Sequence, residues 1–340
     1  MPSLLINDTN PLPIEFLESS KESSIIQKAR RAAEAHRRIR YKLHQILRPG
    51  ITLQEIVETV RDATRILLKG ERMDGLGFPC GVSLNDCAAH YTCNPGDSPI
   101  VLGEKDVLKI DYGTHVDGRI MDSAFTVAFD PAYEPLLKAS KEATEAGIKY
   151  AGIDVRVCDI GREIEEVIKS YEIELNGKII PILPVDNLNG HSISQYKIHD
   201  GISIPCINNG DKEKLKGNTF YAIETFASTG NGHVINGPNC SHYMINEKKS
   251  AKVSNPNNKK VLDCILKKVG TLPFSPFYLD DVLGMPTSCL PNVRSLAILK
   301  ILEPYPPLHD IKGSYVSQFE HTIFIDSKGI KENLTKGDDY

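Results

Sequence analysis

Residues 107–129, VLKIDYGTHVDGRIMDSAFTVAF, read as a β-hairpin. Both arms are rich in β-branched and apolar residues, and Asp117-Gly118 between them is a strong two-residue turn signal. With that pair at the turn, Gly113 faces Asp122 and Ala124 faces Asp111. Asp111 and Asp122 become diagonal neighbours on one face, their Cα atoms at most roughly 7–8 Å apart. Carboxylates that close repel each other unless one is protonated or a cation lies between them. Solvated surface acids are the plain alternative. Both residues sit among apolar neighbours, however, where an unpartnered acid is costly.

Helices flank the hairpin on both sides. Ser23 to Leu47 has apolar residues at helical spacing (Ile25, Ile26, Ala29, Ala32, Ala33) and stops at Pro49-Gly50. Thr52, with Glu55 three residues on, is the signature of a capping box opening a second helix that runs to about Leu68. The same order returns after the hairpin. A helix over Glu134–Tyr150 leads through Gly152-Ile153-Asp154-Val155 to a helix ending near Ser170. That turn matches Gly50-Ile51-Thr52-Leu53 in type. Further strands are expected at Phe220–Phe226 and Gln318–Ile325. The class is therefore α+β, with two halves that each join a helix pair to strands. Between Lys248 and Pro304 the pattern is helical and short, and it ends in Pro304-Tyr305-Pro306-Pro307, which cannot continue a helix. The expected division is an extended arm at 1–20, a main unit over 21–247 and 305–340, and an inserted helical unit at 248–304.

Three more segments place an acid or imidazole where apolar residues are expected: His191 in NLNGHSI, Glu224 in FYAIETFAS and Glu320 in SQFEHTIFI. Along its strand Glu224 shares a face with Phe220, Ala222 and Phe226. Glu320 shares one with Gln318 and Thr322. One buried Glu would more often be an ion-pair partner. Two Asp, two Glu and one His fit a dinuclear metal cluster better, in which two divalent ions roughly 3.5–4 Å apart activate water against a carbonyl. Oxygen-rich ligation with one His suits Mn(II), Co(II) or Fe(II), and also Zn(II). Sequence order does not assign a ligand to either ion.

Composition narrows the class. Lys+Arg is 40 and Asp+Glu is 44, a net charge of −4, with no basic stripe of the kind a nucleic-acid binder carries. No apolar run approaches the ~18 residues of a membrane span, and the first twenty residues lack the basic and apolar regions of a secretory signal. The eight cysteines contain no CxxC pair, so free, mostly buried thiols in a reducing compartment are expected rather than disulfides or a zinc ribbon.

GFPCGVSLNDCAAHYTCNPGD, KIDYGTHVDGRIMDSAFTV, NLNGHSISQYKIH, YAIETFASTG, CSHYM and DIKGSYVSQFEHTI resemble the type 2 methionine aminopeptidases, over nearly all of residues 20–340. The Asp-Asp-His-Glu-Glu order is shared with proline dipeptidases and aminopeptidase P. The flanking words and the insertion point to type 2. The resemblance implies the pita-bread (creatinase/aminopeptidase) fold, two pseudo-symmetric halves around a curved antiparallel sheet, with a winged-helix-like insertion. It implies two divalent ions, Asp111 chelating one, Asp122 and Glu320 bridging both, and His191 and Glu224 completing the other. Glu224 or the bridging hydroxide network would handle the proton during attack. His90 matches the histidine that contacts the scissile amide and is modified by fumagillin-type epoxides. His199 matches a second active-site histidine, expected near the methionine pocket or the substrate amine. Phe78, Ile198, His242 and Tyr305 would line an apolar slot for methionine. The implied activity is co-translational removal of N-terminal methionine from nascent proteins in the cytoplasm, favouring small second residues. The ribosome is the candidate partner, with no nucleic-acid substrate, no membrane and a monomeric enzyme expected. Animal and yeast relatives carry a long charged N-terminal extension where this chain has about twenty ordinary residues. Two other readings stay open: a different exopeptidase of the same fold, such as a proline dipeptidase, and a non-catalytic member that binds RNA or a protein. His321, on the opposite strand face from Glu320, is expected to be structural.

Overall fold

Asp117 and Gly118 form the hairpin turn, both with positive φ (48° and 71°), as the tight primed turns require. The strands on either side, β2 (Val107–Val116) and β3 (Arg119–Ala128), pair with Gly113 opposite Asp122 and Asp111 opposite Ala124, the expected register. β1 (Asp74–Leu84) pairs with the other edge of β2, giving an antiparallel sheet in the order β1-β2-β3. The computed structural model describes residues 24–69, 72–249, 253–284 and 288–340; the arm expected at 1–20 lies outside them. Among the described residues no helix is long and apolar enough to cross a membrane, and all eight cysteines are free, six of them buried.

Helix α1 (Ser24–Ile46) packs on β2 and β3 through Ala29, Ala32 and Ala33, all fully buried. Tyr112 of β2 points up at it, donating its hydroxyl to the His36 carbonyl (2.9 Å). Alternation then turns Asp111 and Gly113 to the sheet's other face. Helix α2 (Leu53–Leu68) covers β1 and starts with the expected capping box: Thr52 Oγ1 accepts from the Glu55 N–H, and the Glu55 carboxylate accepts from the Thr52 N–H.

The second half repeats this plan. α3 (Glu134–Tyr150) and α4 (Val157–Lys169) lie on a sheet ordered β8-β7-β6-β4-β5: β4 (Asn189–Ile193), β5 (Ser203–Pro205), β6 (Thr219–Ser228), β7 (Val316–Ile325) and β8 (Lys331–Asn333). The repeat is real, but its register differs from the sequence match. Gly50 N–H and Leu53 N–H donate to the carbonyls of Leu102 and Ile100; in the second half Asp154 and Val157 donate to Leu215 and Glu213. Asp154 therefore corresponds to Gly50, not to the cap Thr52, and it shares the left-handed backbone (φ 64° against 94°). Arg156 occupies the cap position, without a side-chain cap bond. Two apolar clusters form the core, one chiefly of first-half residues and the other chiefly of second-half residues.

The two sheets meet along β3 and β7 without a backbone ladder. Hydroxyls bridge them. Thr126 Oγ1 accepts from the Gln318 N–H (2.8 Å) and donates to the Gln318 carbonyl (2.7 Å). Thr322 Oγ1 does the same for the backbone of Asp122 (2.8 and 2.7 Å). Ser123 Oγ donates to the Glu320 carbonyl (2.7 Å). A neutral side-chain hydroxyl can donate and accept at once, so each buried backbone group on this line stays satisfied while the strands diverge.

Within 248–304 lie α5 (Pro256–Cys264), α6 (Pro276–Leu283) and α7 (Leu290–Ile298). Two short strands, His242–Ile245 and Leu302–Tyr305, pair with each other on either side of these helices.

Candidate metal centre and substrate pocket

The register brings the unusual acids together. Glu224 of β6 lies directly opposite Glu320 of β7, and Ala222 lies opposite His191 of β4. Thr225 Oγ1 donates to the Ser140 carbonyl of α3 (2.8 Å), so Glu224 points away from the helices, as Asp111 does in the other half. Asp111, Asp122, His191, Glu224 and Glu320 all line one cavity of about 220 Å³. His191 Nε2 is 3.5 Å from Asp122 Oδ2 and 3.8 Å from Glu224 Oε1. Ligand atoms of Asp122, His191 and Glu320 lie within 4.8 Å of one another.

Four carboxyls in one cavity resist ionisation. Burial pushes Asp111 up to about 7 against one opposing hydrogen bond from Gln318. Burial and then the Asp111 charge raise Asp122 well above the carboxylate range. Glu224 and Glu320 are raised by burial first and by the neighbouring acids second. Burial, reinforced by His199, holds His191 in its neutral form. Asp111 Oδ1, Asp122 Oδ1 and both carboxylate oxygens of Glu320 are buried with no hydrogen-bond partner. Unpaired buried acceptors are rare and costly. A divalent cation is the partner that satisfies several of them together, and neutral His191 is the matching nitrogen donor.

Gln318 was missed by the sequence reading as a site residue. Its Nε2 donates to Asp111 Oδ2 (3.2 Å) and Glu224 Oε2 (3.3 Å), tying together acids from opposite halves. Its place two residues before Glu320, on the same strand face, was the available signal.

The rest of the pocket is apolar with histidines set into it. Phe78, Ile198, His242 and Tyr305 line it, and so do His90 and His199. Two register shifts in β1, on either side of Phe78, aim its ring into the cavity. Pro79, Met244 and Pro273 add to the wall. His90 has positive φ (64°), a strained conformation of the kind that gathers at functional sites. Its ring centroid is 5.9 Å from that of His242 and 6.2 Å from that of Tyr305. Burial and then the His199 ring depress His90 to about 4. His199, exposed on its outer side, meets His191 edge-on at 4.2 Å. His321 faces away from the cavity and bonds Thr335 Oγ1 (2.9 Å), in keeping with a structural role. Cys80 and Cys93 are buried, and burial raises both thiols, Cys93 to about 11.

The model of metallopeptidase family M24 matches residues 27–255. The chain is 54% identical to methionine aminopeptidase 2 of Encephalitozoon hellem, with all of both chains covered. It is 46% identical to methionine aminopeptidase 2A of Arabidopsis thaliana, over 95% of this chain and 74% of that one. Among solved structures, a thermophilic Arx1 superposes with a TM-score of 0.80 at 17% identity, covering 94% of this chain and 93% of that one. A methionine aminopeptidase from Thermotoga maritima gives 0.60 at 20% identity, covering 93% and 98%. These structural likenesses speak for the shared pita-bread fold, while the sequence relatives speak for the branch within it. The chain belongs to metallopeptidase family M24 and, inside that family, groups with the type 2 methionine aminopeptidases.

Proposed function

We propose that this chain removes the N-terminal methionine of newly made proteins, using Asp111, Asp122, His191, Glu224 and Glu320 to hold two divalent ions. The observation that carries this is the set of buried, unpartnered carboxylate oxygens at the floor of an apolar pocket. Asp122 and Glu320 would be shared between the ions, Asp111 would serve one, and His191 and Glu224 would serve the other. Co(II), Mn(II), Fe(II) and Zn(II) all suit this donor set. When bound, such a pair polarises a carbonyl and makes water a nucleophile at neutral pH.

The chain's own groups do the rest. Phe78, Ile198, His242 and Tyr305 enclose the methionine side chain. His199 stands where the substrate amine enters. His90, neutral above about pH 4, hydrogen-bonds the scissile amide without adding a like charge beside the cations. Glu224 takes the proton of the attacking water and passes it to the leaving nitrogen. An apolar slot discriminates by only a few kcal/mol per missing group, so preference for methionine is strong but not absolute. Small second residues fit best. The helical segment 248–304 is an insertion that contributes Pro273 to the pocket wall. The reaction is co-translational and cytoplasmic, carried out by a monomer near the ribosome.

The test is hydrolysis of Met-Ala-Ser by EDTA-stripped protein before and after Mn(II) or Co(II), with Ala-Pro as control. Metal-restored release of methionine with Ala-Pro untouched is expected. Cleavage of Ala-Pro would replace this reading with a proline dipeptidase, and no turnover with either would replace it with a non-catalytic binder.

A further inference from the structure

Glu320 lies on the line where the two sheets meet, and its backbone is held differently from its neighbours'. The backbones of Gln318 and Asp122 are each clasped by one hydroxyl from the facing strand, Thr126 and Thr322. Glu320 has Ser123 Oγ on its carbonyl, but its N–H receives nothing from β3. The Tyr340 hydroxyl fills that place from outside both sheets: Glu320 N–H donates to Tyr340 Oη (2.7 Å), and Oη donates to the Glu320 carbonyl (3.0 Å).

Tyr340 is itself fixed from several sides. Its ring stacks on His321 (centroids 4.1 Å apart, planes 22° apart) and meets Phe319 edge-on at 4.9 Å. The Arg40 guanidinium of α1 lies 5.2 Å from the ring centroid. Arg40 also makes a bidentate pair with Asp339 (2.7 and 2.9 Å) and donates to the Thr335 carbonyl (3.0 Å). A bidentate Arg–carboxylate contact fixes geometry as well as supplying energy. Arg40 is fully buried, so the segment ending in Tyr340 is locked against α1 rather than draped on the surface.

We propose that Tyr340 is a positioning residue for the metal centre: its hydroxyl sets the backbone of Glu320 and thereby the aim of the one buried carboxylate, among the described residues, whose two oxygens both lack a partner in the protein. This rests on Glu320 being a metal ligand. A carboxylate that must reach two ions tolerates little backbone drift, and outer partners of ligands are typically worth 10–100-fold in metal affinity or activity.

The test compares Tyr340→Phe, Glu320→Gln and the double variant with the wild-type chain. Calorimetric titration of EDTA-stripped protein with Mn(II) is the first readout, thermal melting of the metal-free form the second, and Met-Ala-Ser kinetics the third. Tyr340→Phe keeps the ring and its stacking. It is expected to weaken Mn(II) binding about tenfold and to lower kcat about as much, with KM within about twofold. In the Glu320→Gln background the same change is expected to add nothing to the loss of Mn(II) binding, because the hydroxyl acts through Glu320. A Tyr340→Phe protein that binds Mn(II) like the wild type, while melting lower, overturns the positioning role and leaves Tyr340 a packing residue. Equal further loss in the Glu320→Gln background overturns it as well. If Glu320→Gln itself leaves Mn(II) uptake unchanged, the ligand reading falls and the positioning role with it. Should Tyr340→Phe not fold, Asp339→Asn loosens the same segment from its Arg40 side and is read by the same three measurements, with a smaller Mn(II) loss expected.

Discussion

Glu224 and Glu320 stand directly opposite each other on neighbouring antiparallel strands. Like charges in that relationship destabilise a sheet, and here Glu320 is buried and Glu224 only slightly exposed. The fold accepts this pairing only with protons or cations between the acids, and two of the predictions below follow from it.

Asp122→Asn is expected to lower both metal content and turnover, since it removes one of the two shared carboxylates. It is also expected to raise the melting temperature of the metal-free protein, because folding no longer has to hold a proton on that buried acid. Metal analysis and calorimetry on the same preparation check the pair. A lower melting temperature would mean that Asp122 contributes to folding in its own right.

The metal-free protein should lose stability as pH rises from about 4 to about 7. Asp111 has its folded value raised to about 7 from a usual 3.8. Between those values the folded state keeps a proton that the unfolded state has released. Stability is therefore full below about pH 4 for this group and is lost as pH climbs through about 7. The loss is on the order of 2–4 kcal/mol for a shift of that size. Denaturant unfolding of EDTA-treated protein at pH 5 and pH 7.5 measures it, and a saturating divalent ion should flatten the dependence.

His90→Ala should leave metal content intact and slow turnover by about 10²–10⁴-fold, the range for a lost acid–base or positioning group. Because His90 is held to about 4, its protonation should not set the acid limb of kcat/KM above pH 5. An equal fall in metal content in His90→Ala and Asp122→Asn would defeat this division of roles.

Gly113→Ala should damage methionine binding without touching a metal ligand. A Cβ at Gly113 would lie 2.4 Å from the Phe78 ring. The ring must move, and it lines the pocket. Overpacking of this kind costs about 1–3 kcal/mol of stability. KM for Met-Ala-Ser should rise severalfold with metal content unchanged; an unaltered KM would remove Phe78 from the methionine slot.

The hairpin was legible because its signals are local: Asp117-Gly118 turn chemistry and alternation on either side fix which residues share a face. The acids and His191 were legible because they break an apolar pattern, and the assignment of roles came from resemblance rather than from spacing. The register of the internal repeat was misread by two residues. Asp154 looks like a capping residue in sequence, yet it takes the left-handed turn that Gly50 takes in the first half, a conformation Asp tolerates better than most. Gln318 and Tyr340 stayed hidden for a different reason. Gln318 reaches Asp111 across the line where the sheets meet, and Tyr340 reaches the Glu320 backbone from outside both sheets; no periodicity within one strand reports on either contact.

That line also sets a timetable. Asp111 and Asp122 belong to the first half, and Glu224 and Glu320 to the second. A chain emerging from its N-terminus first presents the hairpin with its two acids facing water, paired with nothing, through the synthesis of some two hundred further residues. No subset available during that interval contains both Asp122 and Glu320, so a half-made chain lacks the proposed donor set. The arrival of β7, the strand that carries Glu320, closes the gap between the sheets and brings the acids of the two halves together in the same event, which would make capture of the ions a report that the two halves have found each other.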